Sequence, residues 1–236
     1  MNVVITGASK GIGKAIAEKF AAAGHRLYLC ARNQAQLEET VSELQRNFPA
    51  SAVQALPVDI STKENALYFA DWILQQTAES GGPEILVNNA GTFIPGSISS
   101  EEDGTLEKML AVNLYSAYYT TRPLLPRMIE KSRGHIFNIC SIASLHAYKN
   151  GGAYSISKFA LLGFSRNLRE ELKPHGIKVT AVLPGAVYTD SWKGSGVPEQ
   201  RIMEATDIAT LVYTATTLSP QAVIEDIVIR PQLGNL

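Results

Sequence analysis

The chain has 236 residues, 45% of them hydrophobic and 18% charged, which suits one globular domain over 1–236 and leaves little room for two. Its 21 Lys and Arg residues nearly balance 22 Asp and Glu residues, and a net charge of −1 argues against nucleic acid or an anionic membrane as the main partner. Without a signal-peptide pattern or an apolar run of roughly 20 residues, we expect a soluble, cytoplasmic protein that spans no membrane and has no metal site.

Short β-branched runs alternate with longer stretches of helical periodicity along the chain, a pattern typical of βαβ units. The predicted strands are Asn2–Thr6, Arg26–Cys30, Ala52–Pro57, Ile85–Asn88, Gly134–Cys140, Lys178–Leu183 and Val223–Ile229. The predicted helices are Ile12–Ala23, Gln34–Asn47, Lys63–Glu79, Glu107–Lys131, Ala153–Pro174 and Thr206–Leu218. Because most of the strands are continuously apolar, we expect an α/β fold with a doubly wound, seven-stranded parallel sheet and helices on both faces.

Two further features of the chain bear on this fold. Cys30 and Cys140 each lie in an apolar run, which predicts buried, reduced thiols rather than a disulfide. The segment at about 188–205 departs from the strand–helix rhythm and contains two glycines and a proline. Loops of this kind often bind ligands, so we expect it to form part of a substrate site.

A glycine-rich turn joins the first strand to the first helix. In this context, absent side chains let the backbone approach a pyrophosphate, and the free N–H groups of the helix N-terminus favour its charge. An ordinary glycine-rich connection is the alternative interpretation. The residues of this turn that we expect to bind a cofactor are Gly7, Ser9, Lys10, Gly11, Ile12 and Gly13.

Gly7, Gly11 and Gly13 form a Gly-x-x-x-Gly-x-Gly pattern, and further motifs follow it to the end of the chain. They are Asn88-Asn89-Ala90-Gly91, Asn113, Ser141, Tyr154 with Lys158, and Pro184-Gly185 with Thr189. As a set, in this order and spacing, they resemble the classical short-chain dehydrogenase/reductase family. The resemblance implies a Rossmann fold, an NAD(P)-dependent enzyme acting on CH–OH or C=O groups, and a catalytic set of Asn113, Ser141, Tyr154 and Lys158. It also implies that the cofactor contacts Asp59, Ile60, Asn89, Ala90, Gly91, Pro184, Gly185, Val187 and Thr189, besides Tyr154 and Lys158.

Tyr154 and Lys158 are four positions apart on a predicted helix and therefore share a face. Carbonyl reduction needs a proton at oxygen, and a free tyrosine, with a pKa near 10, is a poor match to proton exchange at neutral pH. Lowering that pKa to about 7 requires roughly 4 kcal/mol, which we expect a nearby Lys158 ammonium and an oxidised nicotinamide to supply. Ser141, rather than the nearby Ser144, is expected to donate to the substrate oxygen. By resemblance, Asn113 holds a water that links Lys158 to solvent.

The end of the second strand discriminates between the two nicotinamide cofactors. An acidic residue there would bind a ribose 2′-hydroxyl and repel a 2′-phosphate, but the sequence has Arg32 and Asn33. With Lys10 nearby, this corner carries two cations and no carboxylate. We therefore expect NADP(H), unless Arg32 simply faces solvent.

Segments after the fourth, fifth and sixth strands should line the substrate end of the cleft. They supply an aromatic lining with few charges, which favours a small, modestly hydrophobic carbonyl compound such as a diketone. The candidate substrate contacts are Phe93, Ser141, His146, Tyr148, Tyr154, Tyr188 and Trp192.

Several alternatives remain open. The C-terminal third resembles bacterial sepiapterin reductases, although the tail Gln232–Leu236 lacks the carboxylate with which such members often anchor a pterin. A 3-oxoacyl-[acyl-carrier-protein] reductase, an alcohol or sugar dehydrogenase, and an NADP(H)-sensing regulator are further candidates. For the carrier-protein enzyme, a basic docking patch would come from Arg122, Arg127, Lys131 and Arg133. By resemblance the two long helices make subunit contacts, so we expect a homodimer or homotetramer.

Overall fold

A computed structural model describes residues 1–189 and 196–234 of the chain. Its seven parallel strands form one sheet in the order β3-β2-β1-β4-β5-β6-β7, which confirms the predicted doubly wound architecture. The strands are β1 (Asn2–Thr6), β2 (Arg26–Ala31), β3 (Val53–Pro57), β4 (Ile85–Asn88), β5 (Gly134–Ile139), β6 (Ile177–Pro184) and β7 (Asp226–Ile229). The order reverses direction between β1 and β4, and ligands of such sheets bind at this point, beyond the carboxyl ends of the strands.

Helices connect the strands and cover both faces of the sheet. They are α1 (Gly11–Ala22), α2 (Gln34–Asn47), α3 (Lys63–Thr77), α4 (Thr105–Leu110), α5 (Ser116–Lys131), α6 (Gly152–Leu172) and α7 (Ala205–Thr216). The uninterrupted α-helix predicted over Glu107–Lys131 needs correction, because a π-helical turn, Ala111–Tyr115, separates α4 from α5. The spacing of apolar residues over a long helix does not reveal one inserted residue, so the sequence pattern did not predict this π-helical turn.

The core has two layers, and alternate residues of β1 supply both. Val3 and Ile5 pack with α1, α2 and α7 on one face of the sheet, whereas Val4 packs with α3, α5 and α6 on the other. Both layers are filled by fully buried aliphatic and aromatic side chains, so the strands read as continuous apolar runs. Cys30 and Cys140 are buried, unpaired thiols, as predicted. Within residues 1–189 and 196–234, no helix is long and apolar enough to cross a membrane.

His135 is an unusual member of this core, on β5 at the end of the sheet away from the glycine turn. Its Nε2 lies 2.7 Å from Thr180 Oγ1, and the Thr180 hydroxyl donates to the Ile224 carbonyl, so the imidazole must be the donor to Thr180. Burial lowers the pKa of His135 to about 3, and the Lys178 charge acts in the same direction. The folded protein therefore keeps His135 neutral in mild acid.

This neutral histidine predicts a loss of stability in mild acid. Below pH 6.5 the unfolded chain binds a proton at His135 that the folded chain does not bind until about pH 3, so the free energy of unfolding falls as pH falls. Urea denaturation should show that the wild type loses about 2 kcal/mol more than His135→Gln between pH 7 and pH 5. The control is His175→Gln, an exposed histidine on the turn Lys173–His175, which should behave like the wild type. Equal losses in wild type and His135→Gln would contradict this assignment.

Candidate active site

The glycine-rich turn is held against the segment that follows β4. The Thr6 side-chain oxygen accepts the N–H groups of Asn89 and Ala90, both at 3.0 Å. The Asn89 amide in turn donates to the carbonyls of Thr6 and Gly7, at 2.9 and 3.0 Å. These four bonds join the first β–α connection to the Asn-Asn-Ala-Gly motif at the strand-order reversal.

Close packing explains why this turn needs glycines. A Cβ on Gly13 would lie 2.4 Å from both the Gly7 carbonyl oxygen and the Asn89 side-chain nitrogen, which is far inside contact distance. Gly7 and Gly11 have φ angles of 65° and 55°, the left-handed region that favours glycine. Thr189, in the segment after β6, lies close to Gly11. A Cβ on Gly11 would be only 3.1 Å from Thr189 Cγ2. The glycines therefore let the turn pack closely against neighbouring segments, and the turn leads directly into the N-terminus of α1, a position that favours a pyrophosphate.

The end of β2 lies beside the same turn. The Ala8 N–H donates to the Cys30 carbonyl at 3.0 Å. Arg32 and Lys10 are both exposed at this corner, as the phosphate-binding hypothesis requires. Asn33, a predicted cofactor contact, caps α2 by accepting the Gln36 N–H at 3.0 Å, so it also has a local structural role.

Asp59 and Ile60 follow β3 at the same edge of the sheet. Asp59 is exposed and accepts the Ser61 N–H at 3.0 Å, whereas Ile60 is buried. Thr62 caps α3 by accepting the Asn65 N–H. Asp59 therefore stabilises the turn before α3, and its contact with a cofactor stays a prediction.

The connection after β6 lies at the same carboxyl edge of the sheet. Gly185, next to Pro184, donates its N–H to the Ile229 carbonyl at 2.8 Å, which ties this connection to β7. Val187 is buried and forms a bridge with Met203. Its side chain therefore belongs to the core, and only its backbone is left to contact a cofactor.

The π-helical turn buries Asn113 and directs its amide at the segment after β4. Asn113 Oδ1 accepts the Thr92 N–H at 2.7 Å, and Nδ2 donates to the Thr92 carbonyl at 3.0 Å. Nδ2 also donates to Ser157 Oγ at 2.9 Å, and Ser157 donates to the Tyr154 carbonyl. Asn113 thus links the π-helical turn to the segment after β4 and to α6, the helix that carries Tyr154.

Lys158 reaches this same cluster from α6. Its Nζ donates to the Ile139 carbonyl at 2.8 Å. A Cβ on Gly91 would lie 3.3 Å from Asn113 Oδ1 and 3.7 Å from Lys158 Nζ, so both groups converge on that glycine. Burial lowers the pKa of Lys158 to about 8, while nearby Cys140 acts in the opposite direction. At neutral pH the amine is therefore mostly protonated and within reach of a proton exchange.

Tyr154 lies between Ser141 and Lys158. Burial raises the pKa of Tyr154 to about 12, while a hydrogen bond with Ser141 lowers it by a smaller amount. Lys158 Nζ lies 5.9 Å from the centre of the Tyr154 ring and donates to Ile139 instead. In the polypeptide alone, burial therefore raises the pKa of Tyr154, and the predicted lowering to about 7, which also needs an oxidised nicotinamide, stays a prediction for the loaded enzyme. Tyr154 is a neutral phenol at pH 7.

Ser141 and Ser144 have different roles. Ser141 Oγ accepts the Ala143 N–H at 3.1 Å, while Ser144 Oγ accepts the Ser141 N–H at 3.2 Å. This reciprocal cap closes the short turn Ile142–Ser144. Ser141 is the serine that contacts Tyr154, and Ser144 holds its backbone.

The candidate substrate contacts differ in exposure, and the ring of one of them packs against Tyr154. Phe93 packs edge-on against the Tyr154 ring, with centroids 4.8 Å apart, and is 43% exposed. Tyr148 is 46% exposed and His146 is exposed, whereas Tyr188 is half-buried. Trp192 lies outside the described residues.

Sequence reasoning missed several groups that complete this arrangement. Ser157 and Thr92 bind the Asn113 amide, and the Ile139 carbonyl binds Lys158. Ile139 and Thr92 contribute backbone atoms, which residue types do not reveal. Ser157 lies three positions after Tyr154, and that spacing on one helix was the available signal. Among the described residues, no group of His, Cys, Asp or Glu side chains is arranged to hold a metal ion.

Comparisons with known proteins agree with this geometry. The family model described as short chain dehydrogenase matches residues 1–199. An uncharacterized oxidoreductase of Staphylococcus aureus (strain USA300) is 32% identical over 228 residues, covering 97% of this chain and 96% of that protein. A metagenomic short-chain oxidoreductase, solved in complex with NADP, is 33% identical with a TM-score of 0.83, covering 98% and 97% of the two chains. The L-sorbose reductase of Gluconobacter frateurii, solved with NADPH and L-sorbose, is 28% identical with a TM-score of 0.83, covering 98% and 95%.

Proposed function

Because the chain belongs to the short-chain dehydrogenase/reductase family of oxidoreductases acting on CH–OH and C=O groups, we propose that it is an NADPH-dependent carbonyl reductase. Its substrate would be a small, modestly hydrophobic ketone or aldehyde, such as a diketone. The observation that carries the proposal is a neutral Tyr154 with both Ser141 and Lys158 beside it.

Binding of NADP(H) is supported by the chain's own residues and by its relatives. The left-handed backbone at Gly7 and Gly11, at the start of α1, suits a pyrophosphate, and the exposed Arg32 and Lys10 suit a 2′-phosphate. The structural neighbours described above were solved with NADP or NADPH. When bound, NADPH supplies a hydride to the carbonyl carbon.

Tyr154 would act as the general acid. Its high pKa keeps the phenol protonated at neutral pH, so it holds the proton that the carbonyl oxygen needs as negative charge develops there. An alkoxide is a stronger base than a phenolate with a pKa of about 12, so the transfer runs towards the alcohol. The proton leaves the Tyr154 hydroxyl, and the phenolate must then be reprotonated.

Ser141 would hold the substrate oxygen in place. Because Ser141 Oγ already accepts the Ala143 N–H, its own hydroxyl proton remains available for donation. A donor aimed at the position where charge develops stabilises the transition state rather than the ground state. The backbone cap from Ser144 fixes the direction of that donor.

Lys158 and Asn113 would restore the proton to Tyr154. Lys158, with a pKa of about 8, can give up a proton near neutral pH more readily than an ordinary lysine. The Asn113 side-chain oxygen converges with Lys158 on Gly91, which supports a role for Asn113 beside the amine. We assign these two residues the relay and Tyr154 the transfer.

The exposed aromatic lining supports the substrate class. Phe93 and Tyr148 offer exposed aromatic surface, and Phe93 packs against the Tyr154 ring. A pterin reductase is less well supported because the tail lacks an anchoring carboxylate. A regulator that only senses NADP(H) has no use for the Tyr154–Ser141 contact, which favours an enzyme.

The carrier-protein alternative loses support from the surface charges. Arg127 pairs with Glu130 and Arg133 with Glu84, while Arg122 lies 5.2 Å over the Tyr118 ring. These partners reduce the positive charge available to an acidic carrier protein. An alcohol or sugar dehydrogenase would use the same site in the opposite direction, and the preference for NADP(H) favours reduction.

Self-association is supported by apolar side chains that α5 and α6 leave in solvent. Tyr118 of α5 and both Ile156 and Phe159 of α6 are exposed, which is costly for a monomer. Light scattering should therefore give the mass of a homodimer or homotetramer, and Phe159→Glu should shift the protein towards monomer. A wild type that scatters as a monomer would contradict this.

Loss of the general acid should stop turnover and spare cofactor binding. Tyr154→Phe removes only the hydroxyl, so kcat should fall by about 10²–10⁴-fold while the NADPH Kd, from its fluorescence, changes little. Turnover is followed by absorbance of the reduced nicotinamide with diketones, aldehydes and pterins. The control is Tyr68→Phe, an exposed tyrosine on α3, which should be fully active. NADPH binding by a wild type that turns over no substrate would instead favour a sensor.

Arg32 should discriminate between the two cofactors. Arg32→Asp replaces a cation at the proposed phosphate corner by an anion, so the NADPH Kd should rise by about 10–100-fold. The NADH Kd should change much less, because NADH has no 2′-phosphate. Arg46→Asp, the same charge change at an exposed position near the end of α2, should leave both constants near their wild-type values. Equal effects of Arg32→Asp on the two cofactors would contradict the assignment.

A further inference from the structure

A surface turn at residues 97–101 reaches the first turn of α6, the helix that carries Tyr154. The Glu101 N–H donates to the Ser97 carbonyl at 2.8 Å, which closes the turn. The Glu101 carboxylate then accepts the N–H of Ala153 at 3.2 Å. Ala153 directly precedes Tyr154, so a contact 52 positions away in sequence fixes the backbone next to that tyrosine.

The start of α6 needs an acceptor from elsewhere. Its N-cap residue, Gly151, has no side chain to bind the N–H groups of the first turn, which are left without intrahelical partners. Glu101 supplies that acceptor, and its negative charge suits a helix N-terminus. The packing is tight, since a Cβ on Gly152 would lie 2.6 Å from both Glu101 Oε2 and the Gly96 carbonyl oxygen. Gly152 also has a φ of 35°, which favours glycine.

Two further contacts join the same segment to Tyr154 and to the chain before it. The Gly96 N–H donates to the Asn150 carbonyl at 3.1 Å, just before α6 begins. Phe93 packs against the Tyr154 ring itself. The 93–101 segment therefore contacts both the ring of Tyr154 and the backbone that orients it.

We propose that Glu101 is a positioning residue, which holds Tyr154 in its reactive orientation by accepting the Ala153 N–H. The inference rests on the proposed function, because it assumes that Tyr154 transfers a proton. Glu101 touches neither Ser141 nor Lys158 in any described contact, and it acts through the backbone. Small displacements of a reacting group cost large factors in rate, about 10²-fold for 1 Å.

Two conservative variants separate hydrogen-bond reach from charge. Glu101→Gln keeps an oxygen at the same distance and loses the charge, whereas Glu101→Asp keeps the charge and is one methylene too short. We expect Glu101→Gln to keep kcat within about threefold of the wild type, and Glu101→Asp to lose about tenfold. The KM for the carbonyl substrate and the Kd for NADPH should stay within about twofold in both. The matched controls are Glu102→Gln and Glu102→Asp at the adjacent exposed position, which should match the wild type.

Two kinetic results would overturn the proposal. If Glu101→Asp is as active as Glu101→Gln or more active, the charge or the turn itself matters and the hydrogen bond does not. If both variants match the Glu102 controls, Glu101 has no role in orienting Tyr154. Both variants retain a polar side chain of similar size, so each should fold.

Amide hydrogen exchange provides a readout that does not depend on turnover. Exchange in peptides covering 150–156 should be faster in Glu101→Asp than in Glu101→Gln and the Glu102 controls, because the Ala153 N–H has lost its acceptor. Unchanged exchange would overturn the positioning role even if activity changed. The two results can also separate. If the variants show this exchange pattern but the wild type turns over no carbonyl substrate, the proposed function is contradicted and the Glu101–Ala153 contact is established.

Discussion

The buried ammonium of Lys158 is the group around which the candidate site is arranged. It donates to the Ile139 carbonyl at the end of β5, and this bond fixes α6 to the sheet at the position where Tyr154 and Ser141 meet. Burying an amine and a phenol together lowers the pKa of one and raises the pKa of the other. Both groups therefore hold their protons at neutral pH, with pKa values of about 8 for Lys158 and about 12 for Tyr154, whereas the ordinary values of the two side chains, 10.5 and 10.0, nearly coincide. The Lys158 ammonium is thus the stronger acid, and transfer of a proton from it to a Tyr154 phenolate is favourable.

The fold could be predicted almost completely from the sequence. Continuous apolar strands between amphipathic helices indicate a parallel sheet covered on both faces, and β1 and β4 have the predicted bounds. The four catalytic candidates follow from the sequence through their order and spacing, which match one family. The structure buries Asn113, Ser141 and Lys158, and the catalytic roles of all four stay predictions.

The sequence could not show how far burial shifts the pKa of each catalytic candidate, or which backbone atoms it contacts. Lys158 was expected to lower the pKa of Tyr154, but burial raises it, and burial depends on tertiary packing such as that of Phe93 against the ring. The Ile139 carbonyl and the Ala153 N–H are backbone groups, so their roles cannot be predicted from the residue type. Glu101 was missed for a related reason. Its partner lies 52 positions away, and only the tertiary fold brings the two together.

The π-helical turn at Ala111–Tyr115 makes the length of this segment as important as its composition. A π turn is an α-helix with one residue inserted, and each residue of an α-helix advances the side chains by about 100°. Deleting a single position there would restore a regular helix and rotate everything on one side of it by that angle. Either Asn113 would turn away from Thr92, or Leu124 and Met128 would leave the core beneath the sheet. A substitution in this stretch affects only the contacts of one side chain. An insertion or deletion would instead change how Asn113 is oriented relative to the core residues of α5.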